Sequence, residues 1–310
     1  MKGLAEFVMR GRLQALFATV FTCGSIVFCW IGAAVVALVT LRKGVVEGGW
    51  LLLWAVLPAG TVAYVYGDSS PLALLLGTAV LALVLRSTIS LSLTVLASVA
   101  LAGLIGLATI VFAGAYLDQM VAAFDQFLGN FEQQYLQGDQ AVTLPRPEPL
   151  QIAGMLGVGT AAMSVLCLLL ARYWQAALYN PGGFGVEFRA LRYPIAVSLG
   201  LVVLGLAVSS LGLEYRTWAM MFFIPLSFAG LSLVHARASV RGQGTGWLIV
   251  FYMAWLVFDP VKLVVVLFAI ADSWLDFRQR WGEVPPGTPP NDSTDSEDSD
   301  AEDTDKQNRQ

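Results

Sequence analysis

Charge is what this chain has least of. Only 13% of its 310 residues are Asp, Glu, Lys or Arg, against 57% hydrophobic, and mean hydropathy is +0.69. Water-soluble domains carry roughly a quarter charged residues. A single histidine, His235, excludes a histidine-rich metal centre. The three cysteines, Cys23, Cys29 and Cys167, lie in apolar runs without metal-ligand spacing. An odd, scattered set argues against a disulfide framework or zinc site and implies small buried side chains. No Gly-x-x-x-x-Gly-Lys-Ser/Thr loop is present, so the chain has no phosphate loop for ATP hydrolysis, and neither HExxH nor GxSxG occurs. No catalytic residue, metal ligand, cofactor or nucleic-acid partner is expected.

What is abundant is apolar sequence in long blocks. They fall near 13–41, 46–66, 71–85, 88–115, 151–171, 194–212, 217–234, 245–258 and 262–275, many of them long enough to cross a hydrocarbon core of about 30 Å. The expected fold class is therefore all-α, a polytopic helical membrane domain over 1–282. It has about eight spanning helices plus a re-entrant or broken N-terminal helix. Lys2, Arg10 and Arg12 precede the first run as in a secretory signal, but that run continues to Leu41 and reads as retained. Asp259-Pro260 separates the last two runs, both short, as a hairpin.

Charge counting orients the helices. If 13–41 enters and leaves on one side at the break Cys23-Gly24-Ser25, that side holds fifteen Lys and Arg. The other holds only Arg146, Arg216 and Lys262. If 13–41 spans once, the count becomes twelve against six. Cytoplasmic loops carry the excess of basic residues, so the first arrangement is favoured and both termini are cytoplasmic. Pro58 and Pro225 lie inside spans and predict kinks or packing adjustments. Ala102 with Gly106, and the group Gly154, Gly157 and Gly159, suit close helix approach.

The long external loop, 116–150, carries Met120, Phe124, Phe127, Leu128, Phe131 and Tyr135 at helical spacing, which predicts an amphipathic helix on the outer surface. It serves as a shield for the bundle or as a lid. The tail, 283–310, has nine acids and two bases, net −7, whereas 1–282 is net +3. Without apolar periodicity the tail is expected to be disordered.

The cytoplasmic loop 172–193 is neither hydrophobic nor low-complexity. Tyr173, Trp174, Tyr179, Phe184 and Phe188 alternate with Arg172, Glu187, Arg189 and Arg192, around the turn Asn180-Pro181-Gly182-Gly183. The spacing predicts a short helix leaving the membrane at Arg172, a sharp turn, and a second short helix returning near Pro194. Such a belt anchors helix ends at headgroup level, or it forms a docking surface, since aromatics and arginine are enriched at binding hot spots. Candidate interface residues are Arg172, Trp174, Tyr179, Asn180, Gly182, Gly183, Glu187, Arg189 and Arg192.

Asp272 is the one ionisable residue well inside a predicted span, and an intramembrane carboxylate is a functional candidate by default. Asp276, four residues on, is expected to share its helix face and pair with Arg280. His235 reads as a polar end-cap. The loop RGQGTGW (241–247) is an ordinary turn or a cradle of N–H groups for an anion. So few buried charges count against an ion-driven carrier.

The segments YWQAALYNPGGFGVEFRALR (173–192), ADSWLDFRQRW (271–281) and WIGAAVVALVTLRKGVVEGG (30–49) resemble the proteobacterial branch of the YybS-like family. These are bacterial multi-spanning membrane proteins classed under a domain of unknown function. The resemblance covers 1 to about 282 and leaves out the tail. It implies an all-helical fold in a bacterial inner membrane. Members have been likened to the substrate-binding membrane subunits of energy-coupling-factor vitamin transporters, which implies a small-molecule-binding subunit served by a separate cytoplasmic ATPase. Two other classes stay open. One is a membrane scaffold that recruits a cytoplasmic partner and binds no ligand. The other is an enzyme acting on lipid-linked substrates, with Asp272, Asp276, Arg278 and Glu187 as its polar cluster.

Overall fold

The computed structural model describes residues 2–135 and 144–282. Part of the loop 116–150 and the whole acidic tail lie outside the described residues. Among those described there is no strand. In chain order the helices are α1 Lys2–Arg10, α2 Arg12–Cys23, α3 Cys29–Lys43, α4 Val45–Tyr66, α5 Ser70–Thr88, α6 Leu91–Phe112, α7 Gly114–Tyr135 and α8 Pro149–Tyr179. They continue as α9 Gly183–Arg189, α10 Ile195–Ser209, α11 Arg216–Ala219, α12 Phe223–Val240, α13 Thr245–Val257, α14 Asp259–Leu275 and α15 Phe277–Arg280.

Among the described residues, five helical stretches are long and apolar enough to cross a membrane: α4, α5, α6, α8 and the run Leu213–Val240. The pair α13 and α14 meets the same test together, bent by 112° at Phe258. The expected hairpin is thus an open bend. Pro260 opens α14, where a missing N–H costs nothing. Taken singly, α10, α13 and α14 have 15, 13 and 17 residues, roughly 20–26 Å against the required 30 Å. Pro225 meets its expectation through a break before it. It lies within the run Leu213–Val240 as expected, but the chain reaches it through two 3-10 turns and α11, so it falls in the first turn of α12 and not in the middle of a continuous helix. Pro58 does lie in the interior of α4.

The first apolar block breaks where Gly24 and Ser25 stand, between α2 and α3. Arg12, at the start of α2, pairs with Glu47, just beyond the end of α3. The block therefore leaves and returns at one end of the bundle. Its second half is the centre of the fold. Gly32 to Thr40 are nine consecutive buried residues, packed against α2, α4, α5 and α8. A helix apolar all round is one buried on all sides. All three cysteines are buried and free.

The seam of α8 with α6 and the Trp218 ring set beside it explain three of the glycines. A Cβ on Gly157 would strike the Ala102 carbonyl oxygen and lie 3.0 Å from the Gly106 nitrogen. Gly106 and Gly154 accept the Trp218 ring, whose Nε1 donates to the Leu150 carbonyl at 2.9 Å. Gly159 has nothing within 4 Å of a Cβ, so it plays no part in the seam.

At the opposite end from Arg12, α7 is the predicted amphipathic helix, but only its first half packs. Leu117, Met120, Val121 and Phe124 cover Ile152, Ala153, Leu156 and Trp218, while Phe127 is 65% exposed. Arg146 clamps the outer half through Glu132 at 2.8 Å and Asp125 at 3.4 Å. The Arg146 guanidinium and the Leu144 N–H hold the Glu132 carboxyl down at about 2, from an ordinary 4.5. A lowered carboxylate contributes stability above its unfolded value and loses it as pH falls through the folded one. A spin label at residue 128 should therefore keep its mobility from pH 7 to 5, loosening only below about pH 4.

Candidate docking face

Helix α8 does not stop at Arg172. The stretch RYWQAALY contains no glycine, proline or β-branched residue, so the helix runs on to Tyr179, about 10 Å further. It ends at Asn180, where Pro181 follows and Gly182 takes φ 87°, a left-handed conformation suited to glycine. The Gly183 N–H returns to the Asn180 carbonyl at 3.0 Å, and a Cβ on Gly183 would collide with the Asn180 side chain. The one short helix of the loop is α9. After it the chain is extended over Leu191 to Pro194, with Leu191 and Tyr193 turned inward and Arg192 and Pro194 outward. The Tyr193 hydroxyl donates to the Ser92 carbonyl at 2.9 Å.

Charged contacts fix this loop to the helices beneath it. Arg172 pairs with Glu187 and donates to Gln175 Oε1 at 2.5 Å, joining α8 to α9. The Arg42 guanidinium stacks 4.0 Å from the centroid of the Tyr179 ring. Arg192 pairs with Asp276 at 3.1 Å. Arg278 is the hub: its Nη1 donates to the Arg189 carbonyl and its Nη2 to the Leu191 carbonyl and Ser232 Oγ, both at 2.9 Å. Its Nε donates to Asp272 Oδ2 at 3.1 Å. Among the described residues, Asp272 and Arg278 are the only charged side chains that are buried.

This overturns two expectations for the last helix. Asp272 and Asp276 do not share a helix face, because Asp272 Oδ1 accepts the Phe277 N–H and the chain turns left-handed at Asp276, φ 44°. That turn swings Arg278 back over Asp272 and points Asp276 at Arg192, where Arg280 was expected. Nor do Asp272, Asp276, Arg278 and Glu187 converge on one cavity. They form three separate ion pairs: Asp272–Arg278, Asp276–Arg192 and Glu187–Arg172.

Trp174 is a core residue, 1% exposed, so it cannot touch a partner. The outward side chains are Tyr173, Tyr179, Asn180, Val186 and Arg192, with Pro181 and Gly182 between them, while Arg172, Gly183, Glu187 and Arg189 are half-buried beneath. His235 is not an end-cap: its Nε2 lies 2.8 Å from the Tyr252 hydroxyl and its ring meets Phe188 edge-on. It continues a ladder of rings, Tyr173, Phe184, Phe188, His235, Tyr252, Phe251 and Trp247, in which neighbours are 5.4–6.1 Å apart. The ladder ties α8, α9, α12 and α13 together, a pairing of distant segments that no local spacing reveals. In the loop 241–247, the Gly242 and Gln243 N–H groups bond back to the end of α12, which leaves an ordinary turn.

Away from this end, an open groove of about 430 Å³ runs between α5 and α6 on the outside of the bundle, lined by Leu72 and Ala108 and by the exposed side chains of Leu76, Val80, Leu104 and Phe112, among others. A second, of about 190 Å³, is bounded by Cys29, Ser70, Thr160 and Met163. No three metal-ligating side chains cluster among the described residues. No family model, curated protein or solved structure matches this chain.

Proposed function

We propose that the chain is an integral membrane subunit that docks a cytoplasmic protein through 172–193 and holds a small apolar molecule in the groove between α5 and α6. The bracing of an exposed loop carries the docking reading. Arg172–Glu187, Arg192–Asp276 and the Arg278 contacts fix Tyr173, Tyr179, Val186 and Arg192 in place. A surface fixed before it meets its partner loses less conformational freedom on binding. The open groove between α5 and α6 has the volume and apolar lining of small-molecule sites. The transport element comes from the resemblance to the YybS-like family, with an ATPase as the partner. A carrier driven by its own ion relay needs several ionisable groups in the bundle, and the Asp272–Arg278 pair is already saturated. In this reading eight helices cross a bacterial inner membrane, with α10, α13 and α14 tilted or in a locally thinned bilayer, and both termini are cytoplasmic.

Native mass spectrometry of the protein extracted gently from its own membrane tests this. A stoichiometric ATPase together with a retained small molecule is the expected composition. A non-ATPase partner over a ligand-free bundle would select the scaffold reading, and neither component would remove both. Arg192→Glu, which sets two carboxylates face to face, should lower partner capture by at least about tenfold while the bundle stays folded.

A further inference from the structure

The contacts at the docking face gather charge from the whole chain. Arg12 reaches Glu47, Arg86 donates to the Thr40 and Leu41 carbonyls, Arg42 covers Tyr179, and Arg192 meets Asp276. The starts of α2 and α4 and the ends of α3, α5, α8 and α14 are thereby one surface. Within 1–282 it carries thirteen Lys and Arg and five acids (Glu6, Glu47, Glu187, Asp272 and Asp276), net +8. Arg237 stacks 4.6 Å from the Trp281 ring, and that ring lies on Phe277, so the last described turn is pinned to this surface. Arg241 and Arg280 stand exposed at this end, and no acid among the described residues forms an ion pair with either. Gly282 then hands the chain to 28 residues of net charge −7.

We infer that segment 283–310 docks on the basic end of its own chain, centred on Arg241 and Arg280. Charge complementarity is near-complete, +8 against −7. Reach is sufficient, since a flexible chain of this length spans about 30 Å root-mean-square, comparable to the width of a few packed helices. The tether supplies an effective concentration of about a millimolar, so even weak ion pairing populates the contact. The tail thereby screens the surface that a cytoplasmic partner or anionic lipid headgroups would occupy. That consequence for a partner rests on the docking reading; the contact itself does not.

The test uses full-length protein in nanodiscs of zwitterionic phosphatidylcholine and a fluorescent peptide with the sequence of 283–310. One variant has the nine tail acids replaced by their amides. The peptide should bind that variant in about 0.05 M salt and lose at least about tenfold in affinity at about 0.5 M. The native chain, its surface already covered, should bind the peptide at least about tenfold more weakly. Adding Arg241→Glu and Arg280→Glu to the amide variant should abolish peptide binding with the unfolding temperature unchanged. No binding to the amide variant, equal binding to it and the native chain, or indifference to charge reversal each overturns the inference. Partner capture is read separately by native mass spectrometry, so failure of one leaves the other standing.

Discussion

Arg278→Met lowers the unfolding free energy in mild detergent by about 3–5 kcal/mol, the range for removing one partner of a buried ion pair. The Arg278 and Asp272 side chains are only 7% and 3% exposed, so solvent cannot replace the lost cation. The variant strands the Asp272 carboxylate and also takes donors from the Arg189 and Leu191 carbonyls. Asp272→Leu combined with Arg278→Met removes both charges and should recover part of the loss, because a hydrophobic pair avoids the desolvation cost. Denaturant unfolding followed by tryptophan fluorescence reads both. A double variant no more stable than the single would mean that the carbonyl contacts dominate. Arg278→Lys keeps the charge but not the planar fork, so it should fall between the native chain and Arg278→Met.

Gly157→Ala should cost about 3 kcal/mol, the upper end for overpacking, whereas Gly159→Ala should be neutral or stabilise by about 0.5–1 kcal/mol. The added methyl is the same and the helix is the same; the neighbours differ. At Gly157 the obstructing atoms are the backbone of Ala102 and Gly106, which no rotamer change can clear, so α6 and α8 must part. At Gly159 the space is open, and alanine only stiffens the unfolded chain. Unfolding midpoints of the two single variants decide the matter. Equal loss at both positions would place the cause in the helix and not in the seam.

Composition and blocks of hydrophobicity made the all-helical class and most helix boundaries legible. The break at Gly24-Ser25 and the turn at Asn180–Gly183 were legible too, since both rest on residues with strong local preferences. Partners in contact were not. Arg280 is four residues from Asp276, and helical periodicity pairs them, but the left-handed turn at Asp276 destroys that periodicity. An arginine 84 residues away then takes the place. Trp174 looked like an interface aromatic because arginines flank it, and the loop was expected to leave the membrane at Arg172. Once α8 continues unbroken, residue 174 faces the core and Tyr173 faces out. Gly154 and Gly157 could not be told from Gly159 by spacing, because what separates them lies on α6 and near Trp218. Such errors arise where tertiary contacts override a local rule.

The burial of α3 sets a timetable for biogenesis. Residues 32–40 find their permanent neighbours partly on α8, which begins about a hundred residues later. At roughly 5–20 residues per second of synthesis, α3 leaves the ribosome about 5–20 s before that wall exists. Its apolar surface can wait in lipid, but the break before it, 24–28, in which only the Gly24 and Ser25 N–H groups bond back to α2, cannot leave the remaining N–H groups unbonded there. The newborn hairpin of α2 and α3 should therefore wait at the membrane's edge and sink to its central place only when α8 arrives.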